Sequence, residues 1–385
     1  MGSLAEPGEE SAASSVLNNP ALLEQVLDVA GGGEGCFSRV NAQWSDIYVE
    51  LFGAETTLEA ALESAARVEV AAAEGCPLRE KLFSLAAGKG DLGVCAKLRS
   101  LNCPWNSEAT RAAAQGGHLE ILQWLRQGPD PCPWDWKACE VAAMGGHLEV
   151  LRWLRQGPDP CPWGMGTCAS AARGGHLEVL KWLREGPDPC PWSAETCKEA
   201  AGGGHLEALK WLREGPDPCP WDSWTCARAA ERGHLEVLEW LRGGDDQCPW
   251  DHWTSIGAAR FGHLDMLQFL REGPDPCPWT EGTFKAAAGG GHLQVLGWLR
   301  EGPDPCPWDK WACAAATQGG HLEALQWLRE GPDVCPWDEW ACPAWVVKVQ
   351  LEDYSLNFEA DSETFKSLVN WVHTNGHPCD CTAPR

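Results

Sequence analysis

Tyrosine and methionine are almost missing from this chain: 2 and 4 among 385 residues, against 24 tryptophans. A core assembled from unrelated elements mixes its aromatics, so the bias points to one Trp-bearing unit copied many times. Basic side chains are also in deficit, with 30 Lys and Arg facing 55 Asp and Glu for a formal net charge of -25. Nucleic-acid affinity comes largely from cations that neutralise phosphates, so no nucleic acid is expected as a partner. No membrane is expected either, because an anionic surface would repel the chain. By its overall sign, the expected partner surface is a basic one, if there is one. No apolar run approaches the roughly 18 residues that cross a bilayer. The opening Met1-Gly2-Ser3-Leu4-Ala5-Glu6 has neither the basic nor the apolar region of a secretory signal. Glu6 also stands where a myristoylated Gly2 would want Ser or Thr. The 20 Cys are therefore expected as reduced thiols in the cytoplasm, with the nucleus as the alternative compartment.

What the chain has in plenty is self-similarity. His118, His147, His176, His205, His234, His263, His292 and His321 recur at one fixed step, and so do the Cys of nine Cys-Pro-Trp triplets from Cys103 to Cys335. The unit from Cys219 to Gln247 shows the plan. Leu235, Leu238 and Leu241, with Val237 and Trp240, form the apolar stripe of a helix, and Glu236 and Glu239 lie opposite. A shorter helix, Thr225 to Ala230, precedes it and ends in paired Ala. In most copies Gly-Pro closes the unit, as at Gly128-Pro129, Gly157-Pro158 and Gly186-Pro187. There Gly is expected in the left-handed conformation, and Pro cannot continue the helix. One such helix–turn–helix cannot bury its stripe alone, so units must stack. The fold class is all-α.

Ala229-Ala230, Gly233-His234-Leu235-Glu236-Val237 and Trp240-Leu241-Arg242 resemble the core of the ankyrin repeat over residues 56–342. Two departures stand out: Cys226 takes the place of a core Leu, and the period is shorter than the family's 33 residues. The shortening falls where the family makes projecting β-hairpin fingers. Pro-Cys-Pro-Trp fills that segment and lacks ladder donors, so stunted fingers with little strand are expected. The resemblance implies a solenoid that binds a partner protein or peptide on its concave face, acting as a monomer.

Residues 1–15 read as disordered, 56–102 as degenerate capping repeats, 103–342 as the regular array and 343–385 as a C-terminal cap and tail. Within 16–55, Asn19-Pro20-Ala21-Leu22-Leu23 and Val40-Asn41-Ala42-Gln43-Trp44 resemble an F-box. Asn41 replaces the family's Ser, and Asn-Pro replaces its Leu-Pro. That resemblance implies a substrate receptor whose residues 16–52 dock a ubiquitin-ligase adaptor; a plain helical cap is the alternative.

The candidate chemistry is thin. Histidines one helix spacing apart, about 8–10 Å, cannot share an ion whose bonds are about 2 Å. Capping and hydrogen bonds between repeats are expected of them instead. Pairs such as Cys132/Cys139 and Cys219/Cys226 are wider than usual zinc spacing and read as packing. His377, Cys379 and Cys381 form the better ligand cluster, in the tail. The Trp of the Cys-Pro-Trp triplets, and Trp124, Trp153, Trp182, Trp211, Trp240, Trp298 and Trp327, are expected to stack as a ladder between units. No nucleophile elbow, phosphate loop or zinc-protease motif occurs, so neither an enzyme nor a cofactor is expected.

Comparing the copies with one another separates scaffold from freedom. Two positions, ten and eleven residues before each His, accept Glu, Gly, Met and Trp in turn, and the third residue before it accepts Arg, Gly and Gln. Such positions must face solvent. Exposed Trp and Arg dominate binding hot spots, which selects Trp136, Met165, Arg173, Trp224, Trp253, Arg260, Phe261 and Trp311 as the partner-binding residues.

Overall fold

The computed structural model describes residues 62, 64–73, 78–127, 129–156, 159–186, 188–214, 216–272, 274–301, 304–330, 334–336 and 363–375. The F-box-like segment, the first 15 residues, Trp337 and the His377/Cys379/Cys381 cluster lie outside them. Among the described residues every regular element is a helix. The chain divides into two compact units, residues 1–163 and 164–385.

The first unit contains α1 (Ala65–Ala73), α2 (Glu80–Lys89), α3 (Leu92–Ser100), α4 (Ser107–Gln115), α5 (Leu119–Leu125), α6 (Trp136–Met144) and α7 (Leu148–Arg155). The second begins with α8 (Met165–Arg173), α9 (Leu177–Glu185), α10 (Ala194–Gly202), α11 (Leu206–Arg213), α12 (Ser223–Arg232) and α13 (Leu235–Arg242). It continues with α14 (His252–Arg260), α15 (Leu264–Arg271), α16 (Glu281–Gly289), α17 (Leu293–Glu301), α18 (Trp311–Gln318), α19 (Leu322–Arg329) and α20 (Glu363–Thr374).

In several repeats the first helix is longer than its apolar pattern suggests, because a side chain caps it. Asp222 accepts from the Trp224 amide at 3.1 Å and Asp251 from the Trp253 amide at 2.9 Å, using donors that a helix start leaves unpaired. α12 therefore runs from Ser223 to Arg232 instead of Thr225 to Ala230. Its paired alanines, Ala229 and Ala230, are fully buried, as are Ala200, Ala201, Ala258, Ala259, Ala287 and Ala288 in neighbouring copies. With no side chain beyond Cβ, successive first helices pack closely along the second unit, whereas second helices touch one another sparingly. The second helices supply the bulk of the core. Val237, Leu238 and Leu241 are buried and Glu236 and Glu239 exposed, as the periodicity requires. Burying each such Leu contributes about 1.5–3 kcal/mol.

The turn between the two helices fixes the repeat. Gly204 sits at φ 74, a conformation costly for any residue with a Cβ. A Cβ there would also stand 2.7 Å from Cε1 of His234 in the next repeat. The glycine expected to be left-handed at the other end is not: Gly186 closes α9 at φ -81 and ψ 171. The following Pro explains this, since a residue before proline is held in the extended region.

Candidate partner-binding face

The repeated polar residues serve the scaffold. Within each unit, imidazoles reach back to the preceding repeat, His147 Nε2 to the Gln115 carbonyl at 2.9 Å and His205 Nε2 to the Arg173 carbonyl at 2.9 Å. A carbonyl only accepts, so Nε2 carries the proton. The His occupies the N-cap position of its helix yet makes no side-chain cap bond. The expected capping role is thus corrected, because the ring points away to close the gap between repeats. Asp91, standing at the His place in the degenerate repeat, does cap, accepting from the Val94 amide at 2.9 Å.

Both Cys series are fully buried. The first donates to the carbonyl of the residue capping the previous first helix: Cys190 Sγ–H to Gly164 at 3.2 Å and Cys277 Sγ–H to Asp251 at 3.2 Å. The second series lies beside the first across a repeat boundary, Cys168 Sγ–H reaching the Cys190 carbonyl at 3.7 Å and Cys226 Sγ–H the Cys248 carbonyl at 3.8 Å. The sequence neighbours Cys219 and Cys226 are therefore not the spatial pair. Where Thr or Ser replaces the second Cys, its hydroxyl donates to the next carbonyl along: Thr110 Oγ1 to Pro133 and Ser255 Oγ to Pro278, each at 2.9 Å. Burial pushes the Cys277 and Cys306 thiols up to about 12. The Cys190 sulfur beside it, together with burial, raises Cys168. These are neutral packing thiols, and among the described residues no group of three or more His, Cys, Asp or Glu is placed to hold a metal.

The tryptophans do not form one ladder. Trp221 meets Trp240 of its own unit edge-on at 6.0 Å, as Trp134 meets Trp153 at 5.7 Å. The other face of each described Cys-Pro-Trp indole, Trp105 to Trp308, is covered by an arginine from the preceding repeat. Arg213 lies 4.0 Å from the Trp221 ring and Arg242 3.9 Å from the Trp250 ring. Arg242 also donates to the Cys248 carbonyl at 2.8 Å and pairs with Asp275 at 2.6 Å. A guanidinium offers a flat face and forked donors together, so it displaces indole–indole stacking from this position.

The positions that vary between copies are the exposed ones. Among the described residues, large apolar side chains open to solvent are Leu92, Trp136, Met144, Met165, Trp224, Trp253, Phe261, Trp311 and Val334, so seven of these nine stand on a first helix or the turn after it. Each residue selected from the sequence lies there. In the first unit, Trp136 stands beside Asp135, whose carboxylate Arg111 holds below its usual range through a forked hydrogen bond. Lys137 Nζ is 5.5 Å from the Trp136 ring. In the second unit, Met165 opens α8 and Arg173 closes it, 3.6 Å from Glu199. Trp224 and Trp253 stack at 5.7 Å and 24°, and His252 lies 5.2 Å from Trp253. Arg260 reaches over Phe261 at 5.9 Å, and Trp311 has Lys285 and Lys310 at 5.6 and 5.2 Å. The sequence comparison missed Lys285, seven residues before its His, because only the positions at the helix ends were compared closely.

The family model for ankyrin repeats (many copies) matches residues 110–155 and 139–184. No curated protein matches the chain. Among solved structures, two of the pentatricopeptide repeat protein PPR10 in complex with an 18-nt psaJ RNA element match, one a cysteine-substituted form. Each has 12% identity and a TM-score of 0.35, over 96% of this chain and 71% of that chain, a likeness too slight to carry function. Among the described residues no helix is long and apolar enough to cross a membrane.

Proposed function

We propose that this chain is a protein-interaction scaffold that docks a partner protein or peptide on its first-helix face. The observation that carries the reading is the concentration of exposed Trp, Met and Phe on first helices, while the second helices present Glu178, Glu207, Glu236 and Asp265 to water. Desolvating large apolar groups drives association, and ankyrin repeats imply protein binding as their common use. A photo-crosslinking residue at Met165 or Glu195, set against one at Glu207 or Glu236, tests the reading in native extract. A discrete protein adduct confined to the first-helix probes is expected; equal labelling from both faces refutes it.

The F-box resemblance of residues 16–52 supports a second, narrower reading: the same face would select targets for a cullin ubiquitin ligase. Recovery of an adaptor by the full chain, and not by a chain starting at Leu58, is the outcome it requires.

A further inference from the structure

Resting on the docking reading above, we infer that the partner is a basic peptide segment that lays an arginine side chain on Trp136 and bonds it to Glu140. The scaffold itself shows what an arginine seeks. In the first unit Arg99 lies 3.8 Å from the Trp105 ring and pairs with Asp130 at 2.6 Å. Arg126 lies 3.9 Å from the Trp134 ring and pairs with Asp159 at 2.9 Å. On α6 a ring and a carboxylate recur with no arginine bound to both. Trp136, Glu140 and Met144 follow one another at single-turn intervals, so they share a face, with neighbouring Cβ atoms about 5–6 Å apart. Trp136 is 49% exposed and Met144 37%. Glu140 lies half-buried between them, and among the described residues no cation stands within salt-bridge distance of it.

The charges around that pair leave Glu140 as the odd one. Arg111, from α4, gives its fork to Asp135, which also accepts from the Lys137 amide at 3.1 Å. Glu108 of α4 and Lys137 of α6 are both exposed and offset one another. Lys137 Nζ reaches only the rim of the Trp136 ring, at 5.5 Å, well beyond the distances at which the scaffold's arginines lie over indoles. A carboxylate partly withdrawn from water without a cation is costly, and burial raises the Glu140 carboxyl above its usual range. A guest cation removes that cost. Arginine suits the place better than lysine, because one flat guanidinium covers the indole and forks to the carboxylate together. The sign agrees with the chain, whose net charge of -25 draws a basic segment and repels phosphates. α4, which packs on α6, also borders with α2 a groove of about 1070 Å³ lined by Leu85, Gly88 and Ala112. The groove's charges are mixed, Glu80 and Glu108 against Arg79, Lys81 and Lys89, so it gives the residues flanking the arginine room without choosing their sign.

Selection of random displayed peptides on the full chain tests this, followed by affinity measurement on Glu140→Gln, Trp136→Ala and Lys137→Ala. All three side chains reach solvent, Glu140→Gln keeps its size, and unchanged circular dichroism verifies each fold. The expected consensus carries an Arg. Glu140→Gln and Trp136→Ala each weaken its binding about tenfold, and so does Lys in place of that Arg. Lys137→Ala leaves the affinity unchanged or tightens it. A consensus without Arg, an acidic consensus, no enrichment at all, or a loss on Lys137→Ala overturns the inference. So do Arg peptides indifferent to Glu140→Gln or to Trp136→Ala, or to Lys for Arg, since that is how a general pull toward an acidic surface behaves. Peptides that ignore the α6 variants but lose affinity with the triple variant Trp224→Ala/Trp253→Ala/Phe261→Ala sink this inference alone. Peptides that bind undiminished whichever first-helix set is changed sink the docking reading as well.

Discussion

The turn glycines give the sharpest test of how neighbouring repeats are joined. Gly204→Ala places a Cβ at φ 74 and 2.7 Å from the His234 ring. The left-handed backbone costs an alanine about 1–2 kcal/mol. Pushing the ring aside breaks the 3.2 Å bond from His234 Nε2 to the Gly202 carbonyl, worth about 1 kcal/mol. The sum is about 2–3 kcal/mol. Gly186→Ala is the control: its backbone is extended, and a Cβ there meets nothing within 4 Å. Restricting the unfolded chain at that site stabilises by about 0.4–1 kcal/mol. Urea unfolding followed by Trp fluorescence, with hydrogen exchange at the amides of α13, measures both. Combining Gly204→Ala with His234→Ala removes the steric part, so the pair is expected to be non-additive by about 1 kcal/mol or more. Equal effects of the two glycine variants, or a Gly204→Ala cost unchanged without the ring, refute the reasoning.

Four further outcomes follow from the same geometry. Arg242→Ala, which loses the Trp250 stack and the bond to the Cys248 carbonyl, is expected to cost about 2–3 kcal/mol in urea unfolding. Asp275→Asn, with a side chain 73% exposed, should cost under about 1 kcal/mol. Burial raises Cys95, Cys132, Cys277 and Cys306 to about 12 from 9.0, above their unfolded value. The stability they contribute is therefore complete below pH 9 and declines as pH climbs toward 12. The urea midpoint should fall across that window, and native thiols should resist a disulfide reagent until the chain unfolds. Thr254 Oγ1 is buried with no hydrogen-bond partner among the described residues, so Thr254→Val is expected to leave thermal stability unchanged or raise it.

Much of the fold was legible because repetition exposes its own rules. Val237, Leu238 and Leu241 announce a buried stripe, and the substitution of Trp by Gly or Glu at one place in successive copies announces solvent. Exposure of Trp136, Met165, Trp224, Trp253, Phe261 and Trp311 was read in this way. What escaped were contacts between residues of different copies. A motif in which Cys219 and Cys226 stand close in sequence hides that Cys226 belongs beside Cys248. The Trp series looked like a ladder because nothing local reveals that Arg213 reaches the ring of Trp221. The conformation of Gly186 could have been read from the Pro after it.

Within the second unit, Arg184, Arg213, Arg242 and Arg271 each lean on a ring eight residues ahead and bond a carboxylate one repeat further on, as Arg184 does with Trp192 and Asp217. Every such partner is found by counting along the chain, not by a unique match. Whole repeats can therefore be gained or lost by duplication without orphaning a single thiol, ring or guanidinium. A change of one residue in repeat length would misdirect all three at once. The lineage of such a protein is free to vary the length of its array in steps of a repeat, and bound tightly within each step.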